Sequence, residues 1–336
     1  MSYQRVKFYQ TGTFTVGNRL LDDSQRTVQS RMDRTNSLNS GHRACQGCGE
    51  ALGARYAVDA AMRASSKQLV AVNATGCLEV FSSPYPESAW QIPWMHSLFA
   101  NAPAVASGVA AAMRAKGKKD TRVVAQGGDG ATVDIGFGCL SGMFERNDDV
   151  PYICYDNEAY MNTGVQRSGS TPARAWTNTT QDVGTEPGNP FGVGKNLPSI
   201  AMAHNIPYVA TASVADLHDL EAKVTKAMGI RGARYIHIHV PCPLGWKSDP
   251  ALTIKVARTA VESGLFPLFE AEHGTVIDRT PIRRKVPVER YLELQGRFKH
   301  LLGDTPDTDA LAAIQAIADA NIQRYGLLDQ EARGGT

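Results

Sequence analysis

Residues 125–172 read AQGGDGATVDIGFGCLSGMFERNDDVPYICYDNEAYMNTGVQRSGSTP. A strand predicted over 122–125 runs into Gly127, Gly128, Asp129 and Gly130, where glycines let the backbone turn tightly and approach a ligand. Ile135, Leu140, Met143 and Phe144 fall near helical spacing and predict a helix over 134–147. Free amide groups at the start of such a helix, together with its dipole, favour a phosphate in the turn. Asp129 would repel a purely anionic ligand unless a divalent cation lay between them, and Mg2+ is commonly held by one or two carboxylates plus ligand phosphates. A second strand, predicted over 152–155, delivers Asp156, Asn157 and Glu158 at its carboxyl end, the edge where open α/β sheets bind ligands. Asn157 can offer the cation a side-chain oxygen. Taken alone, Gly-Asp-Gly is equally a turn with a helix cap.

The combination of Gly128-Asp129-Gly130, 26 intervening residues and Asn157 resembles the signature of thiamine diphosphate enzymes. That resemblance implies Mg2+ held by Asp129, Asn157 and the carbonyl of Ala159, with Gly128 and Gly130 against the diphosphate.

Around this unit the composition is that of an ordinary globular protein: 336 residues, 43% apolar, 20% charged, net charge +2. The near-neutral balance speaks against a nucleic-acid surface. No run of 18 apolar residues is present and the start, MSYQRVKFYQ, has no apolar signal core, so no membrane association and a cytoplasmic location are expected. In that compartment the six cysteines, Cys45, Cys48, Cys77, Cys139, Cys154 and Cys242, are expected as ligands or core residues rather than disulfides.

Cys45 and Cys48 sit three apart on a glycine-bearing turn, within His42-Arg43-Ala44-Cys45-Gln46-Gly47-Cys48-Gly49-Glu50, just before a helix carrying Leu52, Tyr56, Val58, Ala61 and Met62. Cys77 follows a strand predicted over 69–73, and Cys242 follows one predicted over 235–240. Both are carboxyl-end positions, as is the Gly-Asp-Gly turn. A parallel sheet would therefore bring Cys45, Cys48, Cys77 and Cys242 to one edge, where four thiolates suit a [4Fe-4S] cluster or a structural zinc. Cys139 falls in a predicted helix and Cys154 in a predicted strand, and both read as buried core residues.

These cysteine motifs, the Gly-Asp-Gly unit, Tyr155-Asp156-Asn157-Glu158-Ala159-Tyr160-Met161-Asn162-Thr163-Gly164 and Pro241-Cys242-Pro243 occur in one order. Together, over about residues 40–250, they resemble the β subunit of the pyruvate:ferredoxin oxidoreductase family. The resemblance implies a [4Fe-4S] cluster on the four cysteines. It also implies that Glu50 and Asn162 face the thiamine as catalytic and cofactor-binding residues, with Asn162 near the substrate. Glu50 has a plainer reading as a charge at a helix amino terminus.

The expected architecture is a doubly wound, mostly parallel α/β sheet of the thiamine-diphosphate-binding fold. An arm over 1–43 precedes the binding domain at 44–249, and an α/β extension occupies 250–336. The arm holds seven Lys and Arg against three Asp, with a possible strand over 14–16, and reads as a segment folding across a partner subunit. A helix over 98–116 follows a segment in which His96 is either catalytic or packed among aromatics. No regular pattern is visible over 173–196, a length that suggests a functional loop or a subunit contact. Helices over 197–204 and 214–228 alternate with strands over 207–211 and 235–240. His237 and His239 share one face of the last strand, where packing is their expected role. Short strands over 265–270 and 274–278 and helices over 288–302 and 309–325 complete the extension. Arg279, Arg283, Arg284 and Lys285 form either a solvated face or a contact for an acidic electron carrier, and residues 333–336 are expected to fray.

The function implied is oxidative decarboxylation of a 2-oxoacid, or the reverse, with the acyl group passed to coenzyme A. Electrons would leave through the cluster to ferredoxin or a related acceptor. The segment after Asn157 is similar to the pyruvate branch and unlike the 2-oxoglutarate branch, while related complexes act on aromatic or branched acids such as phenylglyoxylate. The family's aminopyrimidine-activating carboxylate belongs to an α subunit, and one sheet accounts for 44–242 here. Activity is thus expected only with that subunit, alongside γ and δ subunits. Two further readings remain: a non-redox thiamine decarboxylase or synthase stapled by zinc, and a non-catalytic zinc-stapled interaction subunit.

Overall fold

The computed structural model describes residues 36–84, 87–184 and 186–328. The expected strand over 14–16, most of the arm and the terminal residues 333–336 lie outside the described residues. Eight strands form one sheet: β1 (Leu69–Asn73), β2 (Trp94–His96), β3 (Arg122–Gly128), β4 (Pro151–Asp156), β7 (Tyr208–Ser213), β8 (Arg234–His239), β9 (Phe269–Glu272) and β10 (Thr275–Arg279). Their order is β10-β9-β7-β8-β4-β3-β1-β2. Every pair from β7 to β2 is parallel, whereas β9 and β10 add antiparallel to the far edge.

Helices cover both faces, which is why the central strands are buried along their whole length. Along β4, Tyr152 and Cys154 enter one core while Ile153 and Tyr155 enter the other, as the two-residue period of a strand requires. The helices α1 (Gly49–Ala64) and α6 (Leu217–Gly229) pack on one face. The helices α3 (Ala102–Ala115), α4 (Phe137–Glu145) and α5 (Leu197–Ala203) pack on the other, joined by the end of α10 (Thr308–Tyr325). A third core joins α8 (Thr253–Ser263), α9 (Glu289–Leu292) and the start of α10 around Trp246 and Phe298. No helix of the described residues is long and apolar enough to cross a membrane.

Several predicted elements shift. The helix expected over 134–147 begins at once as a wide π-turn over Gly130–Ile135, breaks at Gly136 and resumes as α4. Thr132 supports the wide turn by donating its hydroxyl to the Gly128 carbonyl at 2.6 Å. The helix expected over 214–228 starts at Leu217 because Asp216 caps the amides of His218 and Asp219. That expected over 288–302 is interrupted: α9 ends at Leu292, and a 3-10 turn over Gly296–Leu301 follows, with the Gly296 amide bonded to the Lys247 carbonyl. The patternless stretch over 173–196 contains a two-stranded ribbon, β5 (Asp182–Val183) with β6 (Glu186–Pro187). The short helix α2 (Cys77–Ser82) and α8 have no counterpart in the sequence reading. Cys154 is buried as expected, but Cys139 is only half-buried, because its position on α4 turns it from the core that takes Leu140 and Met143.

Candidate active site

Parallel pairing aligns the ends of four strands, with Asn73 beside Gln126, Gly128 beside Tyr155 and Tyr155 beside Ile238. Asp129 follows β3 and Asn157 follows β4, while Cys77 and Cys242 lie a few residues beyond β1 and β8. Chemistry-bearing residues therefore collect on one edge.

The first cleft there is lined by Glu50, Cys77, Asp129, Asn157, Tyr160 and Asn162, among others. Asp129 is 1% exposed and accepts a short hydrogen bond from the Ser168 hydroxyl. Burial, and next the neighbouring Asp156, hold its carboxyl well above the ordinary carboxylate range. The Asn157 amide donates to Glu50 Oε2 at 2.8 Å, which leaves Asn157 Oδ1 buried without a partner. Burial pushes the Glu50 carboxyl up to about 7 against the opposing bond from Asn157. An orphaned acceptor oxygen beside the buried carboxyls of Asp129 and Glu50 is an uncompensated excess of negative character, and a cation relieves it. The donor set therefore fits Mg2+, which takes oxygen ligands. Glu50 does stand in the first turn of α1, yet its side chain points into the cleft rather than to solvent.

The second cavity is lined by Cys45, Cys48, Cys77 and Cys242 together with Arg43, Phe81 and Pro241. Its walls also include Glu50, Asn157 and Asn162, so four residues, Glu50, Cys77, Asn157 and Asn162, border both spaces. Burial, then Glu50, pushes the Cys48 thiol up to about 12, and burial raises Cys242 to about 11. Burial, then Glu50 and the other three cysteines, raises Cys77. Cys48 and Cys242 accept amide hydrogen bonds from Ala51 and Gly245, each at 3.4 Å. Close backbone approach assembles this frame: the Gly49 amide bonds the Pro241 carbonyl at 3.1 Å, Arg43 the Phe81 carbonyl at 2.8 Å, and the Thr253 hydroxyl the Gly47 carbonyl at 2.6 Å. A Cβ on Gly49 would lie 2.7 Å from the Pro241 oxygen, so glycine is needed there. Among the described residues, no group of three or more His, Cys, Asp or Glu is arranged to hold one metal ion.

The structure also brings in residues the sequence did not point to. Asp156 accepts the Glu158 amide at 2.9 Å and faces His237 Nε2 at 2.7 Å. Trp246 donates its indole N–H to the Asn157 carbonyl at 2.8 Å. Gly169, just before the long loop, and Lys195, at its end, bind Asp134 of the π-turn, so both flanks of that loop are tied to the turn that follows Asp129. His237 and His239 are buried, as expected. His96 differs: it stacks on Trp94 and bonds Thr75 at 2.9 Å, but it is exposed beside the cleft. None of these contacts follows a spacing rule, although Trp246 stands one helical turn after Cys242.

Residues 74–238 match the family described as thiamine pyrophosphate enzyme, C-terminal TPP binding domain. The pyruvate synthase subunit PorB of Methanosarcina barkeri is 49% identical over 291 residues, 86% of this chain and 97% of that one. The ketoisovalerate oxidoreductase subunit VorB of Pyrococcus horikoshii is 42% identical over 284 residues, 81% of this chain and 88% of that one. The chain belongs to the 2-oxoacid:ferredoxin oxidoreductase family, as a β subunit. Among solved structures, a chain of the 2-oxoglutarate:ferredoxin oxidoreductase from Magnetococcus marinus is similar with a TM-score of 0.52 and 26% identity, covering 66% of this chain and 79% of that one. This β subunit carries the family's thiamine-diphosphate-binding domain, and its oxidoreductase activity requires partner subunits.

Proposed function

We propose that this β subunit serves an oxidoreductase acting on pyruvate, holding thiamine diphosphate through Mg2+ in the first cleft and a [4Fe-4S] cluster in the second. The observation that carries the reading is the shared wall of Glu50, Cys77, Asn157 and Asn162, which leaves no intervening layer between a decarboxylation site and an electron acceptor. Asp129, Asn157 Oδ1 and the Ala159 carbonyl are the oxygen donors for Mg2+, with Gly128 and Gly130 beside the diphosphate. Once bound, thiamine diphosphate supplies the electron sink on which a 2-oxoacid loses CO2.

The chain's own residues prepare that step. Ser168 orients the Asp129 carboxylate, and Glu50 fixes the Asn157 amide so that its oxygen faces the cation. Asn162 is exposed on the common wall, within reach of a substrate. Phe99 and Tyr160 stack with ring centres 5.8 Å apart and close one side of the cleft, which suits a small acid. Four thiols line one cavity, the ligand set that a [4Fe-4S] cluster takes. A cationic cluster would also deprotonate thiols that burial otherwise keeps neutral. An α subunit supplying the aminopyrimidine carboxylate, γ and δ subunits, coenzyme A and ferredoxin complete the assembly, in a cytoplasmic setting.

The test is the visible spectrum of the anaerobically purified complex, recorded after pyruvate and again after coenzyme A. An iron-sulfur band that bleaches supports the reading. Bleaching by 3-methyl-2-oxobutanoate alone would move the substrate to a branched acid, and absence of iron would overturn the cluster.

A further inference from the structure

Glu158 lies between two of the three oxygen donors assigned to Mg2+, and its backbone is left-handed, with φ of +66°. A residue with a side chain adopts that conformation at a cost, so the surroundings must impose it. Asp156 Oδ1 accepts the Glu158 amide at 2.9 Å, and the Thr171 hydroxyl donates to its carbonyl at 2.7 Å. The side chain is gripped from far along the chain: Arg297 Nη2 donates to Glu158 Oε2 at 2.5 Å. The same guanidinium lies over the Trp246 ring, its central carbon 3.9 Å from the ring centre, and that ring's N–H holds the Asn157 carbonyl. Arg297 is 2% exposed, and its Nε is bonded to Gln295 at 2.9 Å. It thus holds two consecutive residues of the turn through two separate contacts. Close packing does not do this instead, because a cavity of about 380 Å3, walled by Asp156, Glu158, His237 and His239, backs the turn.

We propose that Arg297, acting through Glu158 and Trp246, is a positioning residue for the cation-binding turn. It keeps Asn157 and the Ala159 carbonyl where Mg2+ can take both. The segment around Arg297 thereby becomes part of the cofactor machinery although it touches neither cleft. The inference rests on the Mg2+ reading given above.

The test uses the complete complex, stripped of cofactor and reloaded with thiamine diphosphate over a series of Mg2+ concentrations. Retained cofactor is measured after desalting by oxidation to thiochrome and fluorescence, a readout independent of turnover. Residues that support metal ligands typically alter metal affinity by about 10- to 100-fold when lost. Arg297→Met is expected to raise the Mg2+ concentration for half-retention within that range. Arg297→Lys, which keeps a charge but lacks the planar guanidinium, should give a smaller rise. The double variant Glu158→Gln with Arg297→Met should be no weaker than Arg297→Met alone, because Arg297→Met already removes the contact that Glu158→Gln weakens. A lower melting temperature with unchanged half-retention would overturn the inference, as would additive effects in the double variant. If Arg297→Met does not assemble, an unchanged half-retention in Arg297→Lys is equally decisive against it. Retention by the parent complex that does not respond to Mg2+ would instead overturn the cation reading itself, and this inference with it.

Discussion

Replacing Glu50 with Gln should make the cofactor-free complex more stable at alkaline pH. Burial places the Glu50 carboxyl at about 7, against an ordinary value of 4.5. At about 1.4 kcal/mol per tenfold change in proton affinity, the buried anion costs about 3 kcal/mol once fully ionised. The folded-state value is raised, so the group's favourable contribution is complete below 4.5 and is lost as the pH rises through about 7. Glutamine keeps an acceptor for the Asn157 amide and carries no charge. Melting temperatures of the parent and Glu50→Gln complexes, both free of thiamine diphosphate and Mg2+, should therefore agree near pH 4.5 and diverge above pH 7. The expected gap at pH 8 is about 3–6 °C in favour of the variant, allowing about 1–2 °C per kcal/mol for a chain longer than those with the usual 2–4 °C. Adding Mg2+ with thiamine diphosphate should narrow the gap, since a cation then compensates the parent's carboxylate. Parallel pH profiles for the two complexes would refute the reasoning, because Glu50 would then be charged or neutral alike in both folded and unfolded chains.

Asp129→Asn should abolish Mg2+-dependent retention of thiamine diphosphate while leaving the iron content intact, as measured by thiochrome and iron assays on one sample. Gly49→Ala forces a Cβ to 2.7 Å from the Pro241 oxygen; overpacking of this kind costs about 1–3 kcal/mol, and it should lower both the melting temperature and the iron content. At the opposite end of the sheet, Asp149 is bonded by Arg122, Arg231 and Arg234. Asp149→Ala strands the fully buried Arg234 side chain and should cost about 3–5 kcal/mol by denaturant unfolding, with no change in cofactor retention.

What the sequence made legible was what local chemistry announces. Asp129 and Asn157 follow two strands whose carboxyl ends must share an edge, and Cys77 and Cys242 obey the same rule, so their convergence could be read from strand order. Arg297 meets Glu158 across 139 positions and Ser168 meets Asp129 across 39; no periodicity links such pairs. The wide turn at Gly130 also escaped, since Ile135 and Leu140 fit an ordinary helix equally well. The helix α8 was hidden for a related reason. Lys255, Arg258 and Glu262 alternate with Val256, Ala257 and Ala260, and only the packing of Val256 and Ala260 in one core with Trp246 and Tyr291, and of Ala257 in another, shows which faces matter.

The cysteine frame is closed by protein contacts alone, through the pairs Gly49–Pro241, Arg43–Phe81 and Gly47–Thr253. Three chain segments are thus joined by backbone and hydroxyl groups rather than through the thiols. On the [4Fe-4S] reading proposed above, loss of iron to oxygen would leave these three bonds in place. Reconstitution with iron, sulfide and a thiol under argon is then expected to restore the visible absorption without a refolding step.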